Sequence, residues 1–361
     1  ERQRLPNLSL TAESDTGNSR SSANTTLQVE QTVWDFGQLN ARIAGAKTEA
    51  VNSQLRVNLQ MQDVALQIIG AWQTLLAAQQ RLNAATHTLE RLQAFVQQME
   101  RRVAAELSAP IDLELVQARV LQTQVEFASA QNSKNLAIHR LEQLSGIKGL
   151  AAQISLPPLN ASLLQAKEFV RELQSMDLNQ QAGNSPVVTK ARLDAERAKY
   201  DHEAVKAQNF PTVYVRSNQP LTKQASGFEI NTGMTTFLGL RYSPGAGFAT
   251  ASQTEAMQIR MNSAQEKIQS AIQEMEQLLR SDREEAINAE IRIQALESSV
   301  HGSDRVLQSY KDQYVANRKS WLDLMNAVRE LAQNEYALAD TQASLLGAMW
   351  RLQVRLGRTA H

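Results

Sequence analysis

The chain has 361 residues with 37 basic and 37 acidic side chains, so its formal net charge is zero. A neutral chain lacks the basic surface that nucleic acid binds, which excludes nucleic acid as a predicted partner. Cysteine is absent, which excludes disulfides, thiolate catalysis and cysteine-ligated zinc and is typical of an oxidising compartment.

The predicted strands and helices follow each other in the same order in the two halves of the chain. A strand-like run at residues 5–10 has a counterpart at residues 210–215. Each run is followed by a second strand-like stretch, a very long proline-free helical pattern, a turn and a shorter helical pattern. Asp112 near the start of the first shorter pattern corresponds to Asp323 in the second, about 211 residues later. Two copies of strand–strand–long helix–helix predict a scaffold built from a repeat.

The predicted strands have one apolar and one polar face. The apolar positions include Leu8, Leu10, Leu27, Val29, Val33, Leu238 and Leu240, and the polar positions between them include Ser9, Gln28 and Gly239. This alternation is typical of membrane barrel strands, but a half-buried soluble sheet has it too. If these are membrane strands, we expect Leu238 to contact lipid and Gly239 to face a lumen. An introduced Arg should then be tolerated better at residue 239 than at residue 238. Four strands leave open edges, and twelve strands from three copies would remove them, which predicts a trimer.

The first long helix is predicted from about Gln38 to Leu107. Its apolar residues alternate spacings of four and three, as in a coiled-coil seam: Val57, Met61, Val64, Ile68, Ala71, Leu75, Ala78, Leu82, Ala85, Leu89, Leu92, Val96, Met99 and Val103. The second long helix has a similar seam, which we expect to slip register through Asp282 and Glu285. Helices from the other repeat and from other chains should cover these seams, and Ala78→Glu is therefore expected to prevent assembly.

No residue pattern indicates catalysis. The five histidines, His87, His139, His202, His301 and His361, are scattered, and no pair of them lies at metal-ligand spacing together with a carboxylate. We therefore expect no enzyme activity, no cofactor and no bound metal.

Four motifs occur in a characteristic order. They are Trp34-Asp35-Phe36-Gly37 at a strand–helix junction, Asn184-Ser185-Pro186 at a helix start, residues 108–113 (SAPIDL) and residues 320–327 (SWLDLMNA). Together with the duplication, they resemble the TolC-type outer-membrane efflux proteins of Gram-negative bacteria. The resemblance implies a mainly α protomer with a small β part, of which three form a 12-stranded outer-membrane β-barrel and a periplasmic α-barrel. The family's first helix, expected before Leu5, is missing from this sequence.

The resemblance also assigns a role to each part of the chain. It implies a first β-hairpin (1–37), a first helical hairpin of the tunnel (38–146), an equatorial segment (147–185), a helix of the second repeat (186–209), a second β-hairpin (210–244), and a second helical hairpin with the C-terminal equatorial end (245–361). The implied function is an exit channel for type I protein secretion or multidrug efflux. The implied partners are a periplasmic membrane-fusion adaptor, an inner-membrane ABC exporter or proton-driven pump, outer-membrane lipid and two further copies of the chain.

The family's periplasmic gate maps onto the turns of the helical hairpins. The residues at the gate positions are Asp112, Tyr314, Arg318, Lys319, Asp323 and Asn326. Asn326 departs from the family pattern, because the second constriction position is acidic in the best-known member. Simple N-terminal helix capping is the alternative interpretation of Asp112 and Asp323.

A different class of protein also remains open. A soluble or filament-forming coiled-coil structural protein would have the same helical seams, with its strands capping the rods or mediating assembly. A requirement for detergent would discriminate the channel from this alternative.

Overall fold

A computed structural model of the chain describes residues 5–14, 23–152, 154, 156–221, 233–243, 245, 249–316 and 318–358. Its strands and helices are, in chain order, β1 (Asn7–Ser14), β2 (Ala23–Trp34), α1 (Gln38–Ala104), α2 (Pro110–Ser145), α3 (Leu159–Gln174), α4 (Leu178–Gly183), α5 (Pro186–Ala207), β3 (Thr212–Pro220), β4 (Thr235–Arg241), α6 (Ala249–Val315) and α7 (Trp321–Arg355). A short 3₁₀ helix, Leu150–Ala152, lies between α2 and α3. The fold is mainly helical with one small antiparallel sheet, which confirms the predicted fold class.

The chain divides into two compact units. One comprises Glu1–Val57 with Pro186–Gln273, and the other comprises Asn58–Ser185 with Glu274–His361. The first unit holds all four strands and α5, whereas the second holds α2, α3, α4 and α7. The two long helices begin in the first unit and end in the second. No helix in the described part of the chain combines the length and the hydropathy needed to cross a membrane.

The sheet has the order β1-β2-β3-β4, and every neighbouring pair is antiparallel. The pairing of β2 with β3 joins the strands of the two repeats. Leu8 lies opposite Val29, and Val215 lies opposite Leu238, so the apolar positions share one face. Leu238 is 75% exposed on that face. The predicted alternation is therefore present, and β1 and β4 form the two edges of this four-stranded sheet.

A β-bulge corrects the predicted pattern at the end of β2. Thr32 pairs with Tyr214, but Trp34 rather than Val33 pairs with Val213. The extra residue at the bulge moves Trp34 into the apolar row in which Val33 was expected. Trp34 packs edge-on against Phe36, with ring centroids 6.0 Å apart.

The seam of α1 is buried within a single chain along much of its length in the second unit. The buried seam residues are Ala71, Leu75, Ala78, Ala85, Leu92 and Met99. The partner comes from the other repeat, as predicted, because Arg81 of α1 pairs with Asp340 of α7 at 2.7 Å. Since Ala78 is already buried in one chain, Ala78→Glu would disturb the folding of the protomer and is not a specific test of assembly. Val57 and Met61 of the same seam remain exposed.

The register slip expected at Asp282 and Glu285 in α6 does not occur there. Burial continues with spacings of four and three through Met275, Leu279, Asp282, Ala286, Ala289 and Ile293. Asp282 thus occupies a seam position itself, and its charge concealed the repeat. A second polar seam residue, Ser303, accepts a hydrogen bond from the Asn334 amide of α7 at 2.7 Å.

Two arginines of α7 neutralise the buried Asp282 carboxylate. Arg351 Nε donates to Oδ1 at 2.8 Å, and Arg355 Nε donates to Oδ2 at 2.9 Å. Arg351 also donates to Glu285 at 2.6 Å and to the Gln73 amide oxygen of α1 at 2.9 Å. The network therefore links α1, α6 and α7, and it requires one register between them because each donor has a specific acceptor.

Replacing Asp282 by Ala should destabilise the protein strongly. The change leaves the mostly buried Arg355 without its carboxylate, and breaking a buried ion pair in this way costs about 3–5 kcal/mol. Asp340→Ala is the matched control, because its ion pair with Arg81 is about half exposed and should contribute about 1 kcal/mol or less. Thermal unfolding in detergent compares the two variants. Equal losses would contradict a structural role for the Asp282 network.

Candidate functional site at the helical-hairpin turns

The helices that follow the two hairpin turns, α2 and α7, have different N-terminal caps. At the first turn, Pro110 occupies the first position of α2, and the N-cap residue is Ala109, whose methyl group cannot accept a capping hydrogen bond. At the second turn, Ser320 is the N-cap of α7. Glu106 in the first turn has a φ of 58°, the left-handed conformation that a non-glycine residue adopts in a tight reversal.

Asp323 is a helix-capping residue. Its backbone N–H donates to the Ser320 hydroxyl at 3.1 Å, while its carboxylate accepts from the Ser320 N–H at 3.3 Å and from the Ser320 hydroxyl at 2.8 Å. These two hydrogen bonds, with a smaller contribution from the Lys319 ammonium, lower the pKa of Asp323. Stabilisation by this carboxylate is therefore present at neutral pH and is lost as the pH falls through the lowered pKa.

Asp112 differs from its counterpart in the other repeat. Its backbone N–H donates to the Ala109 carbonyl at 3.0 Å, but its carboxylate makes no hydrogen bond or ion pair in the described part of the chain. Asp323 thus caps its helix by hydrogen bonds, whereas Asp112 lies in the first turn of α2 without a capping hydrogen bond. The Asp112 carboxylate is half-buried and remains available to a group outside the chain.

Trp321 joins the two turns. Its indole Nε1–H donates to the Asp112 backbone carbonyl at 2.9 Å, although the two residues are 209 positions apart. The side chain is 4% exposed and packs against the rings of Phe95 and Tyr314 at centroid distances of 5.8 and 5.1 Å. These three aromatic residues belong to a buried cluster formed by α1, α2, α6 and α7. The motif around Ser320 contained Trp321, but only the folded chain shows that it links the hairpins.

Tyr314 lies inside this cluster. The Arg102 guanidinium lies 5.1 Å from the centre of its ring, in a cation–π contact. No hydrogen bond of the Tyr314 hydroxyl occurs within the described residues. The Tyr314 hydroxyl therefore bonds to none of the candidate gate residues within the described part of the chain.

The basic residues of the second turn have separate environments. Lys319 Nζ lies 4.4 Å from the Tyr310 ring centre and 4.0 Å from an Asp323 oxygen. The Arg318 side chain is exposed, and Asn326 is half-buried. Neither side chain has a hydrogen bond or ion pair to another described residue. Of the six predicted site residues, the fold thus brings Lys319 beside Asp323 and connects Tyr314 to Asp112 through Trp321.

The site offers charge and hydrogen-bonding groups rather than a catalytic arrangement. In the described chain, which excludes His361, no group of three His, Cys, Asp or Glu side chains is placed to hold a metal ion. The half-exposed carboxylates, the Lys319 ammonium and the Asn326 amide can instead bond to a neighbouring chain.

Comparisons with known proteins give a consistent result. The family model described as outer membrane efflux protein matches residues 1–147. A search of curated protein sequences finds no significant match.

Three solved structures share the fold over almost the whole chain. The outer membrane protein VceC of Vibrio cholerae is 17% identical, with a TM-score of 0.84 over 99% of this chain and 88% of that one. A membrane protein from Pseudomonas aeruginosa is 18% identical, with a TM-score of 0.82 over 98% and 82%. The open state of the MtrE outer membrane channel of Neisseria gonorrhoeae is 16% identical, with a TM-score of 0.78 over 99% and 81%.

The resemblance predicted from the motifs is confirmed. At these identities the solved structures show a shared fold, and the chain has the fold of TolC-type channel protomers.

Trp321→Phe should destabilise the hairpin turns by about 1 kcal/mol, because the ring is kept but the hydrogen bond to Asp112 is lost. Trp321→Ala should cost about 3–5 kcal/mol, because it also empties the aromatic cluster. The neighbouring Leu322→Ala is the control, since Leu322 is exposed and its truncation should change stability by about 0.5 kcal/mol or less. Thermal unfolding and hydrogen exchange at the starts of α2 and α7 measure the effects. Faster exchange in the Leu322 variant than in the Trp321 variants would contradict the assignment.

Proposed function

We propose that this chain is the protomer of a homotrimeric outer-membrane exit channel of Gram-negative bacteria. One observation carries the proposal: the four-stranded sheet has an exposed apolar face and two edges that no other described residue pairs with, within the fold of known outer-membrane channels. Backbone groups in lipid must all be paired, and a barrel shared by three chains pairs β1 of one chain with β4 of the next. The apolar face then contacts lipid, and the polar face lines the lumen.

The proposed system includes the partners implied by the resemblance. The channel would receive its cargo from an inner-membrane ABC exporter or proton-driven pump through a periplasmic membrane-fusion adaptor. The function is export, in type I protein secretion or multidrug efflux. The coiled-coil alternative has less support, because the fold is shared with outer-membrane channels over almost the whole chain.

Leu238→Arg should reduce outer-membrane insertion, because an arginine facing lipid near the midplane of a barrel costs about 2–4 kcal/mol. Gln28→Arg, on the polar face, is the matched control and should insert normally. Gly239 is unsuitable as the control, because a Cβ there would lie 2.5 Å from the Tyr214 ring. Outer-membrane fractionation with heat-modifiable gel mobility measures insertion. Equal tolerance of both arginines would contradict the lipid-facing assignment and favour the soluble alternative.

We also propose that the hairpin turns form the closed periplasmic gate. Asp112, Tyr314, Arg318, Lys319, Asp323 and Asn326 remain the candidate gate residues. The absence of partners for the Asp112 carboxylate and the Tyr314 hydroxyl within the described residues supports contacts across chains. Such half-exposed contacts are individually weak, about 0.2–1 kcal/mol, so a partner that binds the open tip better can open the gate.

Tyr314→Phe combined with Lys319→Ser should raise single-channel conductance in planar bilayers. Tyr314→Phe keeps the ring contacts with Trp321 and removes only the hydroxyl, so the protomer should fold normally. Lys311→Ser, an exposed lysine of the same helical hairpin, is the control and should leave conductance unchanged. Unchanged conductance in the double variant, with an intact trimer, would mean that closure lies elsewhere.

A further inference from the structure

A charged cluster lies on the polar face of the sheet, away from the hairpin turns. The Glu30 carboxylate accepts from Arg216 Nη2 at 2.7 Å and from Arg241 Nη2 at 3.0 Å. Arg216 Nε also donates to Glu30, at 3.0 Å. Three strands therefore contribute to one cluster, with β2 providing the acid and β3 and β4 providing one guanidinium each.

Tyr214 holds both guanidinium groups in place. Its ring centre lies 5.0 Å from Arg216 Cζ and 4.6 Å from Arg241 Cζ. The ring lies over Gly239, where a Cβ would come within 2.5 Å of Tyr214 Cζ. The glycine thus makes room for the aromatic ring, and the ring supports two arginines by cation–π contacts.

The cluster has a net charge of +1, because two arginines share one carboxylate. The excess charge is exposed to solvent: the Arg241 side chain is 52% exposed, whereas that of Glu30 is 16% exposed. The only other charged residue in the described strands is Glu13, which pairs with Asn24. Asn24 is six residues from Glu30 along β2, or roughly 20 Å at 3.3 Å per residue, so Glu13 lies at another level of the sheet.

We propose that this cluster is a binding site for small anions in the lumen of the barrel. The proposal rests on the proposed function, because three chains around one axis would place three clusters at the same level. The ligand class is an inorganic anion or a carboxylate, which the planar guanidinium groups of Arg241 and Arg216 recognise through N–H donors. The three clusters together would raise the local anion concentration and favour the passage of anionic over cationic solutes.

The expected size of the effect follows from Coulomb attraction and salt screening. Three unit charges about 10 Å from the axis, in water at 0.1 M salt, should change the ratio of chloride to potassium permeability by about fivefold. The effect should grow at lower salt, because the screening length rises to about 30 Å at 0.01 M.

Arg241→Gln tests the proposal, because it removes the exposed charge and keeps the Glu30–Arg216 ion pair. Arg241→Lys is the matched control, because it keeps the charge at the same position. The reversal potential of purified trimers in planar bilayers under a tenfold KCl gradient gives the permeability ratio. We expect Arg241→Gln to lower the chloride-to-potassium ratio by about fivefold at 0.1 M salt and Arg241→Lys to leave it within about twofold of the wild type.

The result distinguishes this proposal from the proposed function. If the wild-type protein forms channels and Arg241→Gln does not change the reversal potential, the cluster only pairs strands and the anion site is refuted. If Arg241→Lys shifts the ratio as much as Arg241→Gln, the charge is not the cause and the proposal is equally refuted. If the wild-type protein forms no channels in any lipid, the proposed function itself fails.

Discussion

The backbone N–H and C=O groups at the edges of the sheet need hydrogen-bond partners, and the assembly of this protein depends on that constraint. In the described part of the chain, the four-stranded antiparallel sheet leaves the outward-facing backbone groups of its edge strands β1 and β4 unpaired, and one face of the sheet is apolar. A sheet of this kind is an aggregation hazard in water and is not viable in lipid until its edges are paired. Closure by other copies of the same chain satisfies both conditions, because it pairs the edges and places the apolar face against lipid.

The helical part of a single chain, in contrast, is largely satisfied by its own residues. Within the second unit, the seams of α1 and α6 are largely buried against helices of both repeats, and two polar positions within them have specific partners. Asp282 meets Arg351 and Arg355, and Ser303 meets Asn334. A purely apolar seam could shift by one heptad with little penalty, whereas a shift here would leave a charge buried and unpaired. The polar layers therefore specify the register in which the two repeats pack.

The sequence predicted the elements well because their signals are local. Period-two alternation located the strands, and a lack of proline with four-and-three spacing located the long helices. Most of the failures involve partners distant in sequence. Asp282 interrupts the apolar pattern, and the arginines that allow it to be buried lie about 70 residues away in the sequence. The bulge at Val33 depends on pairing with β3. Asp112 and Asp323 were equivalent in the repeat, yet only Asp323 has a serine three residues before it to form a capping box. The link from Trp321 to Asp112 had no local signal.

Cross-linking of the sheet edges tests the central claim most directly. The chain has no cysteine, so no native thiol can form a disulfide with the introduced cysteines. Cysteine at Ser9 or Thr11 of β1 is combined with cysteine at Thr235 or Phe237 of β4, and the membranes are oxidised. A disulfide needs Cα atoms about 4.4–6.8 Å apart, a distance too short to join β1 and β4 across the two strands between them in one sheet. We expect at least one pair to give covalent dimers and trimers and nothing larger, while single-cysteine variants stay monomeric on denaturing gels. The absence of cross-links for every pair, or a ladder that continues beyond three chains, would contradict a barrel closed by three copies.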